Sequence, residues 1–147
     1  MEQRAGRVAA TGAEIDAILA NAKHIAVVGL SKDPGKTSRR IASYLQDAGY
    51  RIIPVNPSAT DKILSERVYH RLSDIPGRID LVDVFRPAGA ALEIVRETAE
   101  RGIPVIWFQL DCTSDEAVRD AVNRGLCVVH DRCIMVEHRR YAQEKGR

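Results

Sequence analysis

Length, composition and charge together predict one globular domain. The chain has 147 residues, of which 45% are hydrophobic and 29% are charged, as in ordinary globular proteins. Its formal net charge of +2 is too small for a protein whose main partner is nucleic acid, which needs a strongly basic face. No apolar run approaches the roughly 20 residues that cross a bilayer, so no membrane partner is predicted either.

The cysteines and the start of the chain predict a reduced, cytoplasmic protein. Cys112, Cys127 and Cys133 are odd in number and irregularly spaced, which is not typical of a disulfide framework. Residues 1–12 carry charges and lack the apolar stretch of a secretory signal.

Short apolar runs alternate with helical patterns along the chain, beginning with a capping box at Thr11 and Glu14. The predicted strands, in chain order, are His24–Val28, Arg51–Val55, Ile79–Phe85, Ile103–Gln109 and Leu126–Val129. Helices are predicted from Thr11 to about Ala22, from a cap at Thr37 or Ser38 to Gly49, from Pro87 to about Arg101, and from Thr113 to Gly125.

Five buried strands that alternate with helices predict a single α/β domain of the Rossmann type. Its sheet is mostly parallel and has helices on both faces. We expect this domain to occupy residues 1–147, with loose ends at residues 1–12 and 141–147. Ligands of such folds bind outside the carboxyl ends of the strands. That rule selects the segments Gly29–Arg39, Asn56–Pro57, Phe85–Arg86 and Gln109–Thr113.

The segment Gly29–Arg39 has the chemistry of a phosphate-binding loop. It precedes a helix N-terminus, whose free N–H groups and positive dipole end suit a phosphate. A glycine at its first position lets the backbone approach a ligand closely. Hydroxyl donors and cations follow, at Ser31, Lys32, Lys36, Thr37, Ser38, Arg39 and Arg40. The sequence therefore predicts a phosphate or nucleotide site, and a solvated loop with ordinary helix caps is the alternative.

Two familiar phosphate motifs do not match this loop. A Walker A motif would need a glycine where the chain has Leu30. A dinucleotide fingerprint would need glycines where the chain has Ser31 and Pro34. It would also need an acidic residue after the second strand, where Asn56–Pro57 stands. The loop is therefore interpreted as a Rossmann phosphate site for a nucleotide other than NAD in its usual pose.

An ordered set of short motifs extends from about Ile25 to Arg140. The motifs are Gly29-Leu30-Ser31, Pro34, Ser38, Tyr44-Leu45, Gly49-Tyr50, Pro54-Val55-Asn56-Pro57, Asp74-Ile75-Pro76, Asp80 to Arg86, Trp107-Phe108-Gln109, Asp131-Arg132-Cys133 and Glu137-His138. In this order they resemble the small stand-alone CoA-binding proteins, which are relatives of the CoA-binding domain in the succinyl-CoA synthetase alpha subunit.

The resemblance implies coenzyme A as the ligand and does not imply a reaction. The phosphates are then expected at Gly29–Arg39, and the adenosine side beside Asn56–Pro57 and Val84–Arg86. The family commonly has Arg-Pro-Ser where this chain has Lys36-Thr37-Ser38, so a lysine replaces a bidentate guanidinium. The residues expected to bind the ligand are Gly29, Leu30, Ser31, Lys36, Thr37, Ser38, Arg39, Asn56, Pro57, Val84, Phe85, Arg86, Gln109 and Cys133.

Three polar residues, two of them in this list, are also candidates on their own chemistry. Gln109 ends the fourth predicted strand, where a ligand would lie. Cys133 follows Arg132, whose charge favours a thiolate, although a small buried thiol is the preferred interpretation. Asp83 suits acid–base work, but a structural role, either as a loop anchor or in a pair with Arg86, is preferred. The acidic and histidine residues near Cys133 lack a recognised ligand spacing, so no metal site is predicted.

Three functional hypotheses remain open. The preferred one is a non-catalytic binding or regulatory module for CoA or an acyl-CoA. The second is an acyl-CoA-using enzyme with Cys133 or Asp83 near the chemistry. The third is an NAD(P)-binding redox protein of the same fold. Each has a small molecule as its partner, and a homodimer that hides an edge strand is compatible with all three.

Overall fold

Six parallel strands form one sheet in the computed structural model, which describes residues 5–59 and 61–146. The strands are β1 (Arg7–Val8), β2 (His24–Val28), β3 (Arg51–Val55), β4 (Leu81–Val84), β5 (Val105–Phe108) and β6 (Cys127–Val129). Their order across the sheet is β1-β6-β5-β4-β2-β3, and every neighbouring pair is parallel. β4 and β6 are buried at every residue, as expected for parallel strands covered on both faces.

Helices cover both faces of the sheet. Those in the described residues are α1 (Gly12–Asn21), α2 (Thr37–Asp47), α3 (Ala91–Glu100), α4 (Asp115–Asn123) and α5 (Ile134–Glu144). Because successive strand residues point to opposite faces, Val27 packs with α1, α2 and α5. Its neighbour Val28 packs with α3 and α4. The predicted Rossmann-like α/β fold is therefore confirmed. Within the described ranges, no helix is long and apolar enough to cross a membrane.

The strand order reverses between β2 and β4. The chain passes from β2 to β3 on one side and then returns to form β4 on the other. Val28 and Val84 are register partners at the ends of β2 and β4, so the loops that follow them start side by side. A crevice outside the carboxyl ends of strands at such a reversal is where open α/β sheets bind ligands.

Both ends of the described chain have more structure than the prediction of loose termini allowed. Arg7–Val8 forms β1 and pairs with β6, which adds a sixth strand to the five predicted. At the other end, α5 continues to Glu144. The sequence pattern missed β1 because it has only two residues, both of them exposed. The parts of the loose-end predictions at residues 1–4 and 147 lie outside the described residues.

Two helix starts differ from the predicted ones. α3 begins at Ala91 instead of Pro87, because a 3-10 turn occupies Ala88–Ala90. α4 is capped by Ser114 instead of Thr113, and the Ser114 side chain accepts a hydrogen bond from the Ala117 N–H.

Candidate functional site

The loop between β2 and α2 is organised by its own hydrogen bonds. The Ser31 hydroxyl oxygen accepts a hydrogen bond from the Asp33 N–H at 3.0 Å. The Asp33 side chain accepts one from the Gly35 N–H at 2.9 Å, and its carbonyl accepts one from the Lys36 N–H at 3.0 Å. The residues from Lys32 to Thr37 are exposed. The loop is therefore an ordered, open turn at the carboxyl edge of the sheet.

Ser38 fixes this loop from below and does not cap the helix as predicted. Its side-chain oxygen accepts a hydrogen bond from the Ser31 N–H at 3.1 Å, and the residue is only 7% exposed. Lys36 is the N-cap residue of α2, Thr37 is its first helical residue, and no side chain among the described residues caps it. The prediction of a cap at Thr37 or Ser38 was wrong because Ser38 lies inside the first turn and bonds to the loop.

Gly29 follows β2 and lies against Phe85, which follows β4. Its φ of +87° lies in the left-handed region, and a Cβ atom there would come within 2.8 Å of the Phe85 carbonyl oxygen. Any side chain would therefore push apart the two loops at the reversal of strand order. A glycine at this position therefore lets the backbones of the two loops lie in contact at the bottom of the crevice.

Asn56 ties the loop after β3 to the loop after β2. Its side-chain N–H₂ donates to the Leu30 carbonyl at 3.0 Å, and its oxygen accepts from the Ser58 N–H at 2.8 Å. A carboxylate at this position has no N–H to donate, so the contact needs an amide. The Leu30 side chain is fully buried, and this residue therefore contributes only its backbone to the crevice.

A cleft of about 450 Å³ opens at the ends of β2 and β3. Pro57 and Arg86, both predicted site residues, line it together. Val84 lies beneath in the core with no exposed surface, and Phe85 is half-buried against the α1–α2–α5 side. Of the segment from Val84 to Arg86, only Arg86 therefore reaches this cleft.

The same cleft contains residues that sequence reasoning missed. His70 and Arg71, from the segment between β3 and β4, line it together with Glu93 and Glu97 of α3. Burial, with the Glu93 charge, raises the pKa of Glu97. No strand ends at residue 70 or 71, so the rule based on strand ends could not select this segment.

Asp83 and Gln109 form a sealed pair below the carboxyl edge. Asp83 has no exposed surface, and its Oδ1 accepts a hydrogen bond from Gln109 Nε2 at 2.5 Å. The Gln109 oxygen accepts from the Ile134 N–H at 3.4 Å, so both ends of this amide have internal partners. Burial raises the pKa of Asp83 to about 7. Of the two preferred structural roles for Asp83, the pair with Arg86 was wrong, because Asp83 is buried and hydrogen-bonds with Gln109.

Cys133 lies in a second cleft, of about 520 Å³, at the ends of β1, β5 and β6. It is half-buried and is the N-cap residue of α5. No described residue of the loop 29–39 lines this cleft. Nearby, the Glu137 carboxylate pairs with Arg132 and Arg140. The structure groups no three metal-ligating side chains among residues 5–59 and 61–146.

The sheet, its reversal point and the crevice beside Gly29 define the class of the protein as a Rossmann-like α/β domain. Residues 23–139 match the family model described as a CoA binding domain. Since this match covers most of the chain, the protein belongs to the CoA-binding domain family. The family resemblance predicted from the sequence motifs is therefore confirmed.

Three similar proteins illustrate this membership. The chain is 42% identical over 126 residues to the uncharacterized protein YneT of Bacillus subtilis (strain 168), a match that covers 86% of this chain and 93% of that protein. A hypothetical protein from Pyrococcus horikoshii OT3 has a similar structure, with a TM-score of 0.87, 35% identity, and coverage of 96% of this chain and 99% of that one. The ADP-forming acetate–CoA ligase II of Archaeoglobus fulgidus is 39% identical over 83 residues, which are 55% of this chain and 12% of the ligase.

Proposed function

We propose that this protein binds coenzyme A or an acyl-CoA through the loop Gly29–Arg39 and acts in the cytoplasm as a binding or regulatory module without a reaction of its own. Membership of the CoA-binding domain family supports the ligand. The observation that carries the proposal is the start of α2, which opens onto the ordered loop without a side-chain cap among the described residues. Free N–H groups at such a helix end are suited to bind phosphate oxygens.

Two cations stand at this helix end. Lys36 is exposed at the N-cap position. Arg39 is half-buried in the first turn of α2. Hydrogen bonds from a lysine or an arginine to a phosphate are charge-assisted and are therefore among the stronger kind. These two side chains are the proposed ligands of the CoA phosphates.

The cleft lined by Pro57 and Arg86 is the proposed position of the adenosine side. It lies next to the loop, since Val28 and Val55, which end β2 and β3, form part of its wall. Arg71 adds a second cation, which suits a ligand with more phosphate groups than NAD has.

The structure of the site favours this proposal over the two alternatives. A reaction at Asp83 would require an accessible carboxyl group, and that of Asp83 is buried in the core. Cys133, the other candidate for the chemistry, lies in the second cleft, which no described residue of the loop 29–39 lines. Dinucleotide binding would require a carboxylate after β3, and Asn56 there is used to hold Leu30. All three cysteines are free thiols, which suits the proposed cytoplasmic location. A homodimer stays a prediction.

Calorimetric titration of the reduced protein with CoA tests the proposal, with 3′-dephospho-CoA and NAD as controls. We expect CoA to bind, and to bind more tightly than either control. The double variant Lys36→Ala/Arg39→Ala should weaken CoA binding by about 10-fold or more, since hydrogen bonds to charged groups contribute about 1.5–3 kcal/mol.

The matched control is Lys23→Ala, which removes an exposed cation at the opposite edge of the sheet, before β2. This variant should bind CoA as the unaltered protein does. Equal affinities for the double variant and the unaltered protein would show that the loop does not bind the phosphates. An absence of binding heat with CoA would show that CoA is not the ligand.

A further inference from the structure

Large exposed hydrophobic side chains are concentrated at the second cleft. The described residues include four such side chains: Val8 (38% exposed), Leu92 (40%), Leu110 (58%) and Val136 (54%). Three of them, all except Leu92, line the cleft of about 520 Å³ that also contains Cys133. A recess of this size is in the range of small-molecule sites, and exposed apolar walls mark a surface that binds something apolar.

The cleft is built from the ends of three parallel strands. Val8 ends β1, Leu110 follows β5, and Val136 lies in the first turn of α5, just after the loop that follows β6. Because all strands are parallel, this recess opens on the same edge of the sheet as the loop 29–39. The two sites therefore share one edge and occupy different halves of it.

The polar groups around this cleft already have internal partners. The Arg132 guanidinium donates to the Ala10 carbonyl at 2.7 Å and pairs with Glu137 at 3.5 Å. The Arg132 carbonyl in turn accepts from the Trp107 indole N–H at 2.9 Å. His130 pairs with Asp131 at 3.1 Å. Because these charged side chains are paired with one another or with the backbone, the recess favours contact with a hydrocarbon chain over contact with an anion.

The sheet order sets the distance between the two sites. Neighbouring strands lie about 4.8 Å apart, so β5 is about 10 Å from β2, with β4 between them. A CoA whose phosphates lie at the end of β2 carries an extended pantetheine arm that is longer than this span. An arm directed along the edge brings the thioester end of the molecule to Leu110.

We propose that this recess, lined by Val8, Leu110 and Val136, binds the acyl chain of an acyl-CoA. The physiological ligand is then a thioester with an apolar chain, in preference to free CoA. The inference rests on the proposed function, because it takes the phosphate end of the ligand to lie at the loop 29–39. It assigns a role to an apolar surface that the phosphate site does not explain.

Competition calorimetry with CoA, acetyl-CoA and hexanoyl-CoA tests the inference. Each methylene buried contributes about 0.8 kcal/mol, or about 4-fold in affinity. We therefore expect hexanoyl-CoA to bind at least 10-fold more tightly than acetyl-CoA. The variant Leu110→Ser/Val136→Ser should reduce this ratio to about 3-fold or less while the affinity for CoA itself stays the same. Both side chains are more than half exposed, so we expect the variant to fold.

Leu92→Ser is the control, since Leu92 is also an exposed apolar side chain (40%) but lies on α3, outside the recess. It should leave the ratio unchanged. Equal binding of CoA and hexanoyl-CoA would overturn the acyl site and leave the proposed function standing, whereas no binding of either would overturn both. Light scattering provides a further outcome: a dimer that Leu110→Ser/Val136→Ser dissociates would show that a second copy of the chain covers this surface.

Discussion

Two regions near the carboxyl edge of the sheet have opposite designs, although both are built around polar residues. The open region is the loop 29–39, whose polar groups are held by neighbours within seven residues. The closed region is the Asp83–Gln109 pair, whose members come from β4 and from the residue after β5. Position at the carboxyl edge therefore does not make a residue a ligand contact. The solvent exposure of the side chains distinguishes a binding loop from a pair of hydrogen-bonded polar residues inside the core.

The closed region should dominate the pH dependence of stability. The pKa of Asp83 is raised from 3.8 to about 7 in the folded protein. Between these two values the unfolded chain loses this proton and the folded chain keeps it, so stability falls as the pH rises and is level above pH 7. At 1.36 kcal/mol per pKa unit, the fall is on the order of 4 kcal/mol.

Urea unfolding from pH 4 to pH 8 measures this effect, and Asp83→Asn should remove most of the fall. The CoA affinity of this variant should match that of the unaltered protein, because the carboxyl group lies outside the open region. A parallel pH profile for both proteins would show that Asp83 does not titrate in this range.

In the open region, we expect the largest loss of stability and of CoA affinity from a substitution of Gly29. Gly29→Ala places a residue at a φ of +87° and a Cβ within 2.8 Å of the Phe85 carbonyl oxygen. The left-handed conformation alone costs about 1–2 kcal/mol, and the clash adds to it, so we expect a loss of about 3 kcal/mol. CoA binding should weaken by about 10-fold or more, because hydrogen bonds to a charged phosphate depend on the loop geometry that the clash disturbs.

Gly49→Ala separates the cost of the left-handed backbone from the cost of the steric clash. Gly49 has a φ of +107°, and a Cβ there meets nothing within 4 Å. The Gly49→Ala variant should therefore lose only the stability that the left-handed backbone costs, and its CoA affinity should not change. Thermal unfolding of both variants gives the comparison, and equal losses would contradict the close approach at Gly29.

Ser38 offers a milder test of the same region. Ser38→Ala removes the acceptor of the Ser31 N–H, and leaving a donor unsatisfied costs about 1–3 kcal/mol. We expect a loss of about 1 kcal/mol in unfolding experiments, since the loop is partly open to water. CoA affinity should fall several-fold. Ser43→Ala, at a half-buried serine of the same helix, should change neither quantity.

The smallest effect on CoA binding is expected at the contact between the helices α2 and α5, which link the open and closed regions. α2 carries Ser38 of the open region, and α5 begins at Ile134, beside the closed one. The Tyr44 hydroxyl and His138 Nδ1 connect these helices at 2.8 Å. Tyr44→Phe should therefore reduce stability by about 0.5–1.5 kcal/mol and leave CoA binding within 2-fold. Tyr141→Phe changes another ring beside His138 and is the control; identical melting curves for both would contradict a contribution from the Tyr44 bond.

Most of the fold could be predicted because the buried strands are short apolar runs separated by glycine and proline. All five predicted strands are present, and His24–Val28 and Arg51–Val55 have the predicted bounds. β1 could not be predicted, since its pairing with β6 and not its own composition makes it a strand.

The sequence could predict which residues of the candidate site lie at the ends of strands. It could not predict in which direction their side chains point. The rule of strand ends selected Gly29, Pro57 and Arg86. It also selected Gln109, and a residue type does not reveal that both ends of that amide are used internally. Arg71 was not predicted as a site residue, because it lies in the segment between β3 and β4 and does not follow a strand.

The pairing of β1 with β6 has a consequence for synthesis of the chain. Arg7 and Cys127 are register partners across most of the length of the sequence. On the ribosome, β1 therefore emerges before the other five strands of the described sheet and remains without its neighbour β6 until nearly the whole sheet has been translated. The edge of the sheet beside β6 is completed last, and the recess at Val8 acquires all of its walls only when α5 has followed.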